Sequence, residues 1–308
     1  MKINNCATAA SSIFLATVLG VSSAAFAAAA DQALLRSKCT ACHVETDDGF
    51  SRISSQRKTP EGWLMTIARM QVSHDLKITD DERRAIVKYL ADTQGLAPSE
   101  TEGTRYILER RLNTVESYES QEFADMCARC HSGARTELQR RPAAEWEHLV
   151  HYHLGEFPTL EYQDLGRDRD WFNIAFDQIV PYLAKELPLE TDAWAQWQEH
   201  SPQAVAGSWS VSGRMPGRGG FAGIMKVSEA KGDDAYALQF DGSWDNGDAM
   251  SGEGQAIVYT GYEWRGNLEL DGVAMQQVLA LEDGQLSGRM FMRDQDEIGA
   301  DIDAARAG

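Results

Sequence analysis

Two hydrophobic rhythms divide the chain. Up to about residue 190, apolar positions recur every three or four residues, the period of helices with one buried face. From Gly207 they alternate with polar positions between Gly and Asp turns, the period of strands. In the helical part a short helix leads into Cys39, and a polar loop follows from Glu45 to Lys58. Thr59-Pro60-Glu61 starts a second helix, with Thr59 as cap and Pro60 in the first turn. Trp63, Ile67 and Met70 line its apolar face. Thr79-Asp80-Asp81-Glu82 is a capping box opening a third helix, with Ile86, Val87 and Leu90, that stops near Gly95.

The pattern then repeats. A longer lead-in helix carries Tyr106, Ile107, Leu108 and Leu112. Pro142-Ala143-Ala144-Glu145-Trp146 starts a helix as Pro60-Glu61-Gly62-Trp63 does. Ile179-Val180-Pro181-Tyr182-Leu183-Ala184 closes the second unit as Ile86-Val87-Lys88-Tyr89-Leu90-Ala91 closes the first, differing only at Pro181. Pro181 is expected to kink or end its helix. Trp194, Trp197 and Pro202 mark a linker over residues 191–206, in which His200 is expected to be solvated or packing. Beyond it, Trp209/Val211, Ile224 to Val227, Tyr236/Leu238/Phe240, Ile257 to Tyr259, Trp264/Leu268/Leu270, Val278 to Leu281 and Leu286 to Met292 read as seven short strands. Asp294, Asp296, Asp301 and Asp303 lack the spacing of a calcium loop and read as a solvated acidic tail. The fold class is α plus β in several domains. Residues 31–100 and 101–190 form two helical units, and residues 207–308 form a small antiparallel β-barrel or sandwich.

Each helical unit holds one Cys-x-x-Cys-His: Cys39, Cys42 and His43, then Cys127, Cys130 and His131. This is the attachment motif of c-type haem. The two thiols bond to the vinyl groups, and the adjacent His is the proximal iron ligand. Three helices around one such motif is the plan of a small class I cytochrome c, so two covalently bound haem c groups (iron) are expected. A Cys/His zinc site would need its pairs about 12–20 residues apart. Here the separation from Cys39 to Cys127 is 127 − 39 = 88 positions, and each pair has its own His.

Residues 1–30 read as an export signal: Lys2, an apolar run from Ile13 to Val21, and Ala25-Phe26-Ala27 or Ala28-Ala29-Ala30 for cleavage. Cys6 lies within it, so every cysteine beyond it belongs to a haem motif, and no disulfide is expected. The compartment expected is the periplasm, with no membrane span in the mature protein. The net charge of −18 argues against nucleic-acid binding, whose phosphates demand a basic surface. It suits solubility first and a basic partner second.

A six-coordinate haem needs a distal ligand, usually Met or His. Met70 follows Trp63 by seven residues, and His153 follows Trp146 by seven. Seven residues are about two turns, so each pair shares a helix face. Trp63 and Trp146 are expected to pack on the haems, with Met70 and His153 as distal ligands. His74 competes with Met70, while Met65 falls on the far face and reads as core. His148 and His151 compete with His153 but point away from the Trp146 face. Thioether ligation raises a haem potential, so electrons are expected to run from the second haem to the first.

Several stretches together are similar to the α subunit of quinohaemoprotein amine dehydrogenase. They are Thr59 to Met70 with its continuation to Leu96, the second unit through Glu161-Tyr162-Gln163 and Arg167 to Trp171, Gly207 to Gly217, Tyr259 to Trp264, and Arg289 to Ile298. The resemblance implies a periplasmic three-subunit complex oxidising primary amines at a cysteine tryptophylquinone in a small separate subunit, with a further β subunit. On that reading this chain has no catalytic residue and carries electrons to a soluble copper protein or cytochrome c. The family's α subunit continues into further strand-rich domains that this sequence, ending at Gly308, does not include. The alternative is a free-standing periplasmic dihaem carrier with a β docking domain. A third reading, a dihaem peroxidase, has only the haem count behind it.

Overall fold

The structure, a computed structural model, describes residues 23–47 and 49–308. Cys6 and the apolar run of the expected leader lie outside the described residues.

The first helical unit is built as its sequence dictates. Helix α1 (Ser23–Cys39) delivers the first motif. Helix α2 (Pro60–His74) begins where the Thr59 hydroxyl accepts the Gly62 N–H at 3.3 Å, and ends at Asp75, whose φ of 59° leaves the helical region. Helix α3 (Asp80–Thr93) carries the expected capping box, Glu82 N–H to the Thr79 hydroxyl and Thr79 N–H to the Glu82 carboxylate. Leu35, Trp63, Ile67, Ile86 and Leu90 form its core.

The second unit departs from expectation at its start. Tyr106 lies in a single 3₁₀ turn, Arg105–Ile107, and Arg110 has a φ of 55°, so no long lead-in helix forms there. The lead-in helix is α4 (Gln121–Cys127), capped by the Ser120 hydroxyl, which accepts the Phe123 N–H, and buried through Phe123 and Met126. Helix α5 (Ala143–Glu156) corresponds to α2. The closing run comprises α6 (Trp171–Ile174), a π-helical turn over Ala175–Ile179 and α7 (Val180–Glu186). Pro181 therefore does not end this run. In a regular helix its ring would meet the Asp177 carbonyl, and the wider turn gives that carbonyl room.

The linker contains helix α8 (Asp192–Gln198), with Trp194 buried and the Trp197 ring stacked on His200 at 4.7 Å. Eight antiparallel strands follow. They are β1 (Gly207–Met215), β2 (Gly219–Glu229), β3 (Ala235–Trp244), β4 (Ala249–Tyr259), β5 (Glu263–Leu270), β6 (Val273–Glu282), β7 (Gln285–Met292) and β8 (Gly299–Arg306). Each pairs with the next, and β8 closes on β1 as an up-and-down barrel. The eighth strand corrects the acidic-tail reading. Ala300, Ile302 and Ala304 face the core, while Asp301 and Asp303 face solvent. The barrel is filled by side chains such as Trp209, Leu238, Trp264 and Leu279.

The β4–β5 turn joins barrel to helices. Thr260 donates its N–H to Asp92 at 2.8 Å and its hydroxyl to the Ala91 carbonyl at 3.0 Å. Trp197 donates to the Thr260 carbonyl at 2.8 Å, and the Tyr262 and Thr101 hydroxyls meet at 3.0 Å. Arg265 of β5 pairs with Glu61 of α2 and Glu263.

Candidate functional site

Both Cys-x-x-Cys-His motifs begin at the last residue of a helix, Cys39 of α1 and Cys127 of α4, beyond which the helix ends. The His43 N–H donates to the Cys39 carbonyl at 2.9 Å, and the Ala128 N–H to the Ala124 carbonyl at 3.1 Å. Each pair presents one sheltered and one open thiol: Cys39 is buried and Cys42 exposed, Cys127 half-buried and Cys130 exposed. Burial pushes the Cys39 thiol up, with Cys42 adding to it. Burial pushes Cys127 up to about 12, with Glu137 adding. Among the described residues no three His, Cys, Asp or Glu side chains gather in the way a metal cluster requires.

The histidines are oriented by the backbone. His43 Nδ1 lies 2.9 Å from the Ser51 carbonyl and His131 Nδ1 2.9 Å from the Ser132 carbonyl. A carbonyl accepting from Nδ1–H fixes the tautomer and leaves the Nε2 lone pair for a metal. The second motif is further pinned by its surroundings. Glu116 accepts from Tyr106, Tyr118 and Ser132, and the Gly133 N–H donates to the Tyr118 hydroxyl at 2.9 Å. Arg129, inside the motif, shares Asp168 with Arg169.

The expected distal residues are differently placed. His153 is half-buried, with Nδ1 2.9 Å from the Leu149 carbonyl, so its ring, like those of His43 and His131, has Nδ1 beside a backbone carbonyl. Burial lowers its proton affinity. The Leu149 carbonyl opposes that shift, while the nearby charges of His131, Arg69 and Arg135 add to it. His153 and His131 therefore lie within electrostatic reach of each other. His148 and His151 are exposed, and His151 packs against Phe176 at 5.0 Å. Met70 is half-buried, and His74 is exposed at the end of α2. Met65 is 46 % exposed, so the core reading is corrected: its helix face turns away from Trp63 and Ile67. Trp63 and Trp146 are buried. Trp63 donates to the Gln94 carbonyl at 3.0 Å, whereas Trp146 Nε1 has no partner among the described residues.

The two units meet about a local two-fold axis. Arg57–Lys58 pairs antiparallel with Gln139–Arg140, and Arg57 faces Arg140. Trp63, Ile67 and Met70 map onto Trp146, Val150 and His153 by one offset of 83 (146 − 63 = 153 − 70), and Arg57 maps onto Arg140 by the same offset. Equivalent residues facing each other across an antiparallel pair define that axis. Glu100 sits on it, buried. It takes Arg57 at 2.8 Å, Arg140 at 3.0 Å and the Thr191 hydroxyl at 2.9 Å. A second buried group lies nearby: Lys58, Arg141 and Glu145, with Arg52 and Arg69 around them. None of these residues was singled out from the sequence. The available signal was a basic residue five positions before each tryptophan, Lys58 and Arg141.

This arrangement defines a class: a two-unit helical domain carrying two haem-attachment motifs, docked on a closed barrel. Comparison with known families narrows it. The haem-binding family model of the quinohemoprotein amine dehydrogenase A alpha subunit matches residues 29–194. The model of alpha-subunit domain II of quinohemoprotein amine dehydrogenase matches residues 202–307. The chain belongs to the quinohemoprotein amine dehydrogenase alpha-subunit family. No curated protein matches it. Among solved structures it is similar to a redesigned β-barrel, at 16 % identity and TM-score 0.30, covering 33 % of this chain and 91 % of that one. A de novo designed fluorescence-activating barrel matches at 19 % identity and TM-score 0.29, covering 38 % and 100 %.

Proposed function

We propose that this chain is the dihaem electron-transfer subunit of an exported amine dehydrogenase. In this reading, electrons arrive from the quinone of a small partner subunit, pass by way of the second motif and then the first, and leave to a soluble copper protein or cytochrome c. Haem c, when bound, supplies reversible one-electron iron chemistry. The chain's own residues do the rest. Cys39 and Cys42, and Cys127 and Cys130, tether. His43 and His131, their Nδ1 atoms held by backbone carbonyls, offer Nε2 to the iron. Met70 and His153 would hold the iron with unlike donors, a thioether in the first unit and an imidazole in the second, and the thioether would give the higher potential.

One observation carries this reading: each motif begins at the last residue of a helix and has its His Nδ1 2.9 Å from a backbone carbonyl, and the two units that hold the motifs pair through Arg57–Lys58 and Gln139–Arg140. A lone cytochrome unit has no need of that pairing, and an electron relay does. The family membership supports the partner subunits.

The test is purification of the chain with its partners from an exporting host. Co-purification with a quinone-staining small subunit, and reduction of the chain's haem bands on adding a primary amine, is the expected result. A lone cytochrome with no quinone stain and no amine-driven reduction supports the free-standing carrier instead.

A further inference from the structure

Beside the two-fold axis two cations, Lys58 and Arg141, are buried near a single carboxylate, Glu145, which the exposed Arg52 also engages at 2.8 Å; the half-buried Arg69 stands beside them. Lys58 is 4 % exposed and Arg141 5 %. The Lys58 ammonium donates to the Thr66 hydroxyl at 2.7 Å and lies 5.1 Å from the centre of the Trp63 ring; no carboxylate reaches it among the described residues. Arg141 donates to the Gln139 side chain at 2.9 Å, stands 3.7 Å from Glu145, and lies 5.5 Å from the Trp146 ring centre. Arg69 crosses from α2 to stand over Tyr152 of α5 at 5.3 Å. Beside them, the Trp146 indole N–H has no acceptor among the described residues.

Burial holds the Lys58 ammonium well below its usual range, Arg141 and Arg69 push it the same way and Glu145 opposes them, so the group carries its charge fully only with an anion beside it. The neighbouring Glu100 group makes the contrast. Both of its guanidinium groups are satisfied by the carboxylate, by Thr191 and by backbone carbonyls. The Lys58 group has donors left over. They lie between the distal faces of both units, because Lys58 and Arg141 are equivalents across the axis, as are Arg69 and Tyr152 (141 − 58 = 152 − 69 = 83).

We infer that Lys58, Arg69 and Arg141, with the Trp146 indole N–H, form one shared carboxylate-binding locus that receives porphyrin propionates from both haem sites. The inference rests on the dihaem reading above. A haem c has two free carboxylates on the porphyrin edge remote from its thioether bonds, and charge-assisted bonds to lysine and arginine are the strong form of carboxylate recognition. Cations held there favour the reduced state of both centres. A single charge change at the locus therefore moves both midpoints together.

The test uses the isolated holo chain, whose mass first reports its haem content. Lys58→Met replaces a buried ammonium with an apolar chain of similar length, a change cores tolerate; Arg69→Gln is a second, half-exposed variant. Each is expected to lower both midpoints, by about tenfold in the one-electron equilibrium, which is 59 mV. Glu145→Gln is expected to raise both, and Lys58→Arg to restore the wild-type values. Redox-difference infrared spectra of chain carrying carbon-13-labelled propionates are expected to show shifted carboxylate bands in Lys58→Met and Arg69→Gln. Full haem content with unmoved propionate bands, or with only one midpoint displaced, overturns the shared locus and leaves the dihaem reading intact. A wild-type chain without haem overturns the dihaem reading itself, and the locus with it.

Discussion

At the residue scale, orientation separates the histidines that sequence spacing leaves in competition. His153 shares with His43 and His131 a ring nitrogen tied to a backbone carbonyl, while His148 and His151 are exposed. If Met70 and His153 are the unlike distal donors, Met70→His should lower the potential of one centre. About a hundredfold change in the one-electron equilibrium, ~120 mV, is the expected size. A redox titration that leaves both midpoints in place contradicts the assignment. Glu100 offers a second test. Glu100→Gln leaves Arg57 and Arg140 buried without their carboxylate, an expense of roughly 3–5 kcal/mol in denaturant unfolding. A loss within about 0.5 kcal/mol, typical of surface positions, contradicts its role as the hub. The Cys-x-x-Cys-His motifs stand out in the sequence because their residues and spacing are fixed, and the family match supports haem binding by the helical domain. The cation cluster does not stand out, because a lone Lys58 or Arg141 resembles any surface charge until the fold brings the two together. Met65 was misplaced for a related reason. An apolar residue two positions after a buried one lies about 200° around a helix, and hydrophobicity alone does not say whether that face is covered.

At the scale of elements, capping and turn chemistry were legible where they are local. Thr59 and the Thr79/Glu82 box depend on near neighbours, and the structure bears them out, whereas Asp241-Gly242, a turn by its residues, lies within β3. Tyr106 to Leu112 has helical apolar spacing, yet its residues are recruited by distant partners: Tyr106 by Glu116, Glu109 and Arg110 carbonyls by Arg289 of β7. The strand β8 was missed because its acidic residues dominated the reading, although Ala300-Asp301-Ile302-Asp303-Ala304 alternates as a strand should. Its role in closing the barrel gives a clear contrast. Ile302→Ala should cost about 2–5 kcal/mol, as core truncations do, and Asp303→Ala should stay within about 0.5 kcal/mol. Urea unfolding midpoints measure both. Equal, small effects at the two positions would return the segment to a solvated tail.

At the scale of the whole molecule, barrel and helices are joined through a buried acid–base group that gives their docking a pH signature. Burial pushes the Glu263 carboxyl up to about 7, with Arg265 pulling it down and the Glu61 carboxylate pushing it up. Burial also acts to raise Glu61, but Arg265 prevails and holds it below its usual range. The signs oppose each other. The Glu263 contribution to stability is complete below about 4.5 and is lost as pH rises to about 7, whereas that of Glu61 is lost only as pH falls below 4.5. Glu263→Gln should therefore flatten the fall of melting temperature between pH 4.5 and 7, by a few degrees at the upper end; parallel wild-type and variant profiles contradict this. Among the described residues no helix is long and apolar enough to cross a membrane. The central claim concerns what the helical domain carries, and intact mass tests it most directly. Chain produced in a host that exports it and attaches haem should be coloured and should outweigh its bare polypeptide by two porphyrin irons, one on the peptide holding Cys39 and Cys42 and one on that holding Cys127 and Cys130. A colourless protein of bare-chain mass, or one haem only, would contradict it.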